Sequence, residues 1–330
     1  MHIPDNYLSP STCAVMGAAM IPVLAVSIKK VRDEVPGEKM PLLGIGAALS
    51  FLVMMFNVPL PGGTTGHAVG AVLVAALVGP YAACLAITVT LALQALLFGD
   101  GGVLALGANC FNLAFVMPFT GYGVYVLFRK IIKEPVGRYI GMALGGYIGL
   151  NVAAFVTAVQ FGIQPLLFRG ADGIPLYCPY PLSVAIPAMM IPHILIAGVV
   201  EAAFTALAGA FILKASPGAL YAGEKERKPA VYALVALMIC LVPLGLLAAG
   251  AAWGEWGADE IAEVVTNGTQ LGYVPAGLEN GFSFSSIMPD YTIEGIPETA
   301  AYVLCAFFGA AISIILFRLM AGLKKNRLAA

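Results

Sequence analysis

The chain has 330 residues, of which 60% are hydrophobic and 11% charged, with 38 glycines, 13 methionines and a formal net charge of −1. That composition excludes an ordinary soluble domain, and with no long basic run it excludes a nucleic-acid partner, leaving a polytopic membrane protein. Six cysteines, Cys13, Cys84, Cys110, Cys178, Cys240 and Cys305, lie far apart with no CxxC pair, so they read as small core residues and not as a disulfide or zinc framework.

The chain opens on Met1-His2-Ile3-Pro4-Asp5-Asn6-Tyr7-Leu8-Ser9-Pro10, which sets an imidazole one residue from an α-amine. The Met1 amine, the His2 amide nitrogen once deprotonated and the His2 imidazole can bind one cation through two fused chelate rings, with one position of a four-nitrogen plane left open. A planar nitrogen field suits Ni(II) or Cu(II), whereas Mg, Ca and Mn prefer oxygen. The bland alternative is a His2 with no role. The first ten residues lack the basic head of a signal peptide, and bulky His2 disfavours trimming of Met1, so the amine is expected to be free and extracytoplasmic.

A spanning helix needs roughly 17–25 largely apolar residues. Nine stretches are candidates: 11–28, 40–58, 64–79, 82–98, 104–128, 139–163, 183–213, 230–252 and 299–320. The third is short and follows Pro59-Leu-Pro-Gly-Gly63, so a re-entering or tilted helix that begins inside the protein is expected there. Lys29, Lys30, Arg32 and Lys39, then Arg129, Lys130, Lys133 and Arg138, then Lys214, Lys225, Arg227 and Lys228, and finally Lys324, Lys325 and Arg327 all fall between or after spans on one side. Positive loops are cytoplasmic, so the N-terminus is expected outside and the C-terminus inside.

Only three histidines occur: His2, His67 and His193. Gly62-Gly63-Thr64-Thr65-Gly66-His67 lies at the outer start of span three, on the side of His2, so His67 can fill the fourth position around a cation. The competing reading makes Thr64 or Thr65 a helix cap and His67 an interfacial polar residue. Asn109 and Asn112, three apart on span five, share a helix face and either support the His67 imidazole or the N-terminal loop, or bond between helices. Asp5 has the same choice between supporting the site and capping the turn before Pro10. Glu201 is an intramembrane carboxylate, costly enough to serve as a proton relay or as a lock between helices. His193, beside Pro187 and Pro192, is expected to satisfy a helix break. Residues 216–229 read as a cytoplasmic linker. Beyond it, two spans flank an outer loop with Trp253 and Trp256, suited to an interfacial aromatic belt. The loop is acidic and the hairpin holds no histidine, so no primary ligand is expected from it.

The start Met1-His2-Ile3-Pro4-Asp5 with Tyr7-Leu8-Ser9-Pro10, the Gly-Thr-Thr-Gly-His run ending at His67, and Ala105-Leu-Gly-Ala-Asn109-Cys-Phe-Asn112 resemble the cobalt/nickel energy-coupling-factor substrate-specific components, the CbiM/NikM family, over about residues 1–215. Trp256-Gly-Ala-Asp-Glu260, Pro275-Ala-Gly-Leu-Glu279 and Pro289-Asp-Tyr291 are similar to the small CbiN/PDGLE-type partner, departing from its signature at Ala276. The resemblance implies an all-α membrane protein: a seven-helix metal-binding bundle (1–215), the linker (216–229) and a two-helix hairpin (230–330), nine spans in all. It implies a square-planar cation held by the Met1 amine, the His2 amide nitrogen, the His2 imidazole and His67; from their positions, Asp5, Thr64, Asn109 and Asn112 are the residues expected in support. The cation is expected to be Ni(II), carried as substrate, with Co(II) its rival; Pro4-Asp5 looks like the nickel branch.

No G-x-x-x-x-G-K-[ST] loop and no Gly-Lys dipeptide occurs, and no catalytic constellation appears, so an enzyme is not expected. Uptake driven by ATP then needs a separate membrane coupling (T) subunit and ATPase subunits in the inner membrane. A stand-alone proton-coupled transporter using Glu201 is the alternative. Free imidazole titrates near pH 6.5 and an α-amine near 7.7–8.0, so the amine, the amide and both site histidines are expected to release protons on binding.

Overall fold

In the computed structural model, which describes residues 1–36, 39–60, 64–215, 228–248, 250–266 and 268–329, the first nine residues form a strap and not a helix. Ser9 ends the strap: its hydroxyl accepts from the Thr12 amide at 3.1 Å, and Pro10 takes the first helical position, where no N–H is needed. From there α1 (Pro10–Glu34) runs away from the strap toward the basic residues Lys29, Lys30 and Arg32. Its outward face keeps Val15, Ile21, Val26 and Ile28 exposed, which suits a helix solvated by lipid.

Next come α2 (Met40–Met54), a hairpin of β1 (Val58–Leu60) and β2 (Thr64–Gly66) that pairs Val58 with Gly66, and α3 (Ala71–Val78). The helix expected over 64–79 is therefore only eight residues long, about 12 Å at 1.5 Å per residue and well short of a bilayer core. The strand pairing consumes its start, and Gly70 and Gly79, with φ of 73° and 87°, break it at both ends. The segment stays buried in the protein, as irregular backbone at membrane depth must be.

The bundle continues with α4 (Pro80–Leu93), α5 (Leu106–Asn109), α6 (Met117–Ile131), α7 (Val136–Gly162), α8 (Gln164–Leu167), α9 (Leu182–Pro192) and α10 (Gly198–Ala215). Three π-helical stretches, Gln94–Phe98, Cys110–Val116 and His193–Ala197, extend or join these helices. The last follows Pro192, and there the His193 ring pairs with the Met189 carbonyl at 2.7 Å, so His193 satisfies a helix break. Beyond the linker lie α11 (Lys228–Leu241), a small outer hairpin of β3 (Val265–Thr266) and β4 (Thr269–Gln270), α12 (Ala276–Glu279) and α13 (Glu298–Ala329). Gly62, Gly63 and nearly all of the linker read at 216–229 lie outside the described residues.

Among the described residues, six helical stretches are long and apolar enough to cross a membrane: 10–34, 80–98, 106–131, 136–167, 182–215 and 298–322. Met40–Met54 and Val231–Leu247 are shorter apolar helices. Small residues bring these helices together, as expected where water cannot drive association. A Cβ on Gly121 of α6 would stand 2.6 Å from the Gly145 carbonyl of α7. A Cβ on Gly44 of α2 would meet the Ile314 backbone of α13 at 3.1 Å, so the C-terminal hairpin packs directly against the first unit.

Candidate metal centre

The strap is held along its whole length by groups from distant elements. Ile3 is fully buried, its amide donating to Asn109 Oδ1 at 2.8 Å and its carbonyl accepting from Asn109 Nδ2 at 3.0 Å and from the Gly102 amide at 2.9 Å. Asp5 accepts from the amides of Val103 and Leu104 at 3.1 and 2.7 Å. It thus caps the turn leading into α5, and not the one before Pro10. A Cβ on Gly102 would strike the Asp5 backbone, so only glycine lets the strap lie this close. Asn6, at φ 66°, exchanges two 2.9 Å hydrogen bonds with Phe282 of the C-terminal unit. Trp253 and Trp256 pack against Tyr180, and Trp253 also against Phe161, in the cluster that holds Ile3, Tyr7 and Leu8. Instead of only marking an interface, the two indoles cover the strap.

This clamping delivers His2 to His67. Their rings face each other with centroids 5.2 Å apart and planes tilted by 32°. Both are buried, and they line a cavity of about 470 Å³ together with Thr65, Asp100, Glu255 and Tyr291. His67 lies outside any helix, four residues before Ala71, and its Nδ1 pairs with the Ala68 carbonyl at 3.0 Å, which leaves Nε2 as the free ring nitrogen. His2 Nδ1 meets Asp100 Oδ1 at 3.0 Å, and its buried Nε2 has no hydrogen-bond partner among the described residues. The Met1 amine is buried and forms a 2.8 Å ion pair with Glu255 Oε1, a contact without hydrogen-bond geometry.

Two sequence-level candidates face elsewhere. Asn112 donates to Thr157 Oγ1 at 2.9 Å and exchanges hydrogen bonds with the Gln160 amide at 2.8 and 2.9 Å, joining the Cys110–Val116 stretch to α7. Thr64 donates to the Ala251 carbonyl at 3.2 Å, because strand pairing in β2 turns it toward the C-terminal unit. Sequence reasoning singles out neither Asp100 nor Glu255, and it takes Tyr291 only as part of the Pro289-Asp-Tyr291 resemblance and not as a group of the site. The signal available for Asp100 was a lone carboxylate set between glycines at the outer end of span four. Tyr291 donates to Asp100 Oδ2 at 2.5 Å and Gln94 donates to the same oxygen at 3.2 Å. The hairpin that holds no histidine therefore supplies Glu255 and Tyr291, among other residues, to the cavity wall.

Burial opposes ionisation of Asp100, but His2, the Tyr291 hydroxyl and His67 outweigh it and hold the carboxyl well below the usual carboxylate range. For His67, burial, the nearby amino terminus and His2 push the imidazole well below its ordinary value. This favours the neutral imidazole, the form that can bind a cation. The unfolded chain takes up a ring proton that the folded one refuses, so acidification below the ordinary imidazole range favours opening of this turn. Ring resonances of His67 followed by NMR are expected to titrate with a midpoint below the ordinary imidazole value, and a midpoint near 6.5 would contradict this.

A bundle of long apolar helices with a polar cavity at the strap end defines the class, a multi-pass membrane transport protein. Residues 2–219 match the family described as cobalt uptake substrate-specific transmembrane region, and residues 227–326 match the PDGLE domain. The chain belongs to the first of these families and carries the second domain fused behind it. It is 48% identical over 322 residues to the probable fused nickel transport protein LarMN of Lactiplantibacillus plantarum, covering 96% of this chain and 97% of that one. It is 44% identical over 340 residues to the fused nickel transport protein NikMN of Rhodobacter capsulatus, covering 98% of each. The cobalt transport protein CbiM of Acetohalobium arabaticum is 35% identical over 48% of this chain and 64% of its own length. Among solved structures, a truncated transition metal transporter is 55% identical with a TM-score of 0.62, covering 65% of this chain and 99% of that one.

Proposed function

We propose that the chain captures Ni(II), with Co(II) the rival cation, on the outer face of a prokaryotic inner membrane. It then passes the ion across within an ATP-driven energy-coupling-factor complex whose T subunit and ATPases are separate chains. The observation that carries this reading is the pairing of His2 and His67 at 5.2 Å across a polar cavity, with the Met1 amine buried beside them. The names of the relatives support nickel over cobalt, since those matching nearly the full length are called nickel transport proteins.

The proposed donors are the Met1 amine, the His2 main-chain nitrogen, His2 Nδ1 and His67 Nε2. A chelate ring that starts at the His2 amide closes on Nδ1, so the cation must take that nitrogen from Asp100 and the amine from Glu255. Both carboxylates then stay within reach as counter-charges. The division into residues 1–215 and 230–330 thus separates ligands from accessory groups: the first unit supplies every nitrogen, and the second governs their release through Glu255 and, by way of Asp100, Tyr291.

Metal analysis of protein purified from cells given equal nickel and cobalt is expected to find about one Ni(II) per chain. Predominant cobalt would reverse the choice of cation and leave the fold untouched. In vesicles, the chain alone is expected to show no uptake under a pH gradient. Robust proton-driven uptake without partner chains would instead establish the stand-alone transporter.

A further inference from the structure

We propose that Glu201, a buried carboxylate of α10, is the positioning residue that presents His67 to the cavity; this rests on the reading of His67 as a metal ligand. Glu201 is completely buried within an apolar helix. Its oxygens accept from the Val69 amide at 2.6 Å, from the Gly70 amide at 3.1 and 3.2 Å, and from the Thr205 hydroxyl at 3.0 Å. Two of those donors follow His67 by only two and three residues.

The turn needs such an outside partner. A helix leaves its first amides without acceptors, and the residue that should cap α3 is Gly70, at φ 73° and without a side chain. Glu201 accepts instead from the amide of the cap residue Gly70 and from that of Val69 before it, and so fixes from another helix the turn that leads into α3. Ser50 then fixes the far side of the same turn, donating to the Val69 carbonyl at 2.6 Å. On the other flank, Gly66 is paired with Val58 in the β hairpin. His67 is thus suspended between two anchors, and its own Nδ1 is tied to the Ala68 carbonyl within the Glu201-held turn.

An ordinary helix start is satisfied by a serine or asparagine at its own cap. A carboxylate inside the membrane is far more costly, and here all its recorded contacts are donors of one turn and one hydroxyl of its own helix. That arrangement fits a lock, and among the described residues no further hydrogen-bond partner continues a proton relay from it. It also makes the bearing of the His67 ring depend on the position of α10, the helix that runs from this turn to Lys214 at the opposite end of the bundle.

The test is a double-mutant cycle on the full chain in detergent, titrated with Ni(II) and followed by its ligand-field absorption. Glu201→Gln replaces one acceptor oxygen with an N–H group that opposes the turn amides. It is expected to weaken nickel binding roughly 10–100-fold, the range for groups that orient a ligand, and to shift the absorption band. In a His67→Ala background the same change is expected to weaken binding no further, because its effect runs through His67. If Glu201→Gln does not fold, Thr205→Val, which removes only the hydroxyl steadying the carboxylate, is expected to move affinity and spectrum in the same direction by a smaller amount. Wild-type affinity and spectrum in a folded Glu201→Gln protein whose His67→Ala counterpart has lost nickel would overturn the proposal alone, as would fully additive losses. Wild-type affinity in His67→Ala would overturn it together with the ligand reading.

Discussion

Two residues added ahead of Met1 are expected to abolish nickel binding while every helix remains in place. The extension converts the amine into an ordinary amide and moves the charged terminus away from Glu255, now 2.8 Å from it. Met1 is itself buried, 6% exposed in the main hydrophobic cluster, so an extension also disturbs its packing. The anchors of the strap lie further along, at Ile3, Asp5, Tyr7 and Ser9, which pair with Asn109, the Val103 and Leu104 amides, the Cys178 amide and Gln164. They are expected to hold residues 3–9 in the extended protein. Because the lost group is itself a proposed ligand, affinity is expected to fall by more than about 100-fold, beyond the range for supporting groups. Metal stoichiometry of the folded, solubilised protein checks this, and one tightly bound Ni(II) on the extended chain would refute a site that uses the terminal amine.

The second large effect is expected from His67→Ala. This side chain is the proposed fourth nitrogen donor, and His67 and His2 are the only histidines on the cavity wall among the described residues, with Thr65 directing its hydroxyl to the Gly250 carbonyl at 3.4 Å. The cation would then keep the three proposed donors of the N-terminal strap and lose the one proposed from the bundle, again a loss of more than about 100-fold. Stability is expected to change little, since the ring's one recorded hydrogen bond runs to the adjacent residue. Nickel titration with circular dichroism separates the two readouts, and retained binding with native helicity would remove His67 from the ligand set.

These two variants probe different kinds of information. The proposed N-terminal chelate is legible because its donors are consecutive: an amine, an amide and an imidazole within two residues can reach one point whatever the rest of the chain does. The apolar runs were legible for the same reason, since each helix satisfies its own backbone in lipid without help from neighbours. His67 was found from the scarcity of histidine and from glycine-rich spacing. Its setting was misjudged, because Thr64-Thr65-Gly66 pairs with Val58–Leu60 and the helix begins only at Ala71.

What the sequence by itself determined was an all-α membrane class, set by local composition; the division into two units and the nitrogen donors it proposes rest likewise on composition or on neighbours in the chain. What only the tertiary structure decided was the company those donors keep: Asp100 on His2 from 98 positions away, Glu255 on Met1, Tyr291 on Asp100, and Glu201 on the turn after His67. Carboxylates and hydroxyls of this kind carry no spacing signal. Their partners are chosen by packing, where a buried ammonium, amide or imidazole must find an acceptor and whichever helix end or loop lies beside it supplies one. Asn112 marks the same boundary from the other side, since its position three residues from Asn109 promised a shared task, and packing against Thr157 and Gln160 of α7 gave it a different one.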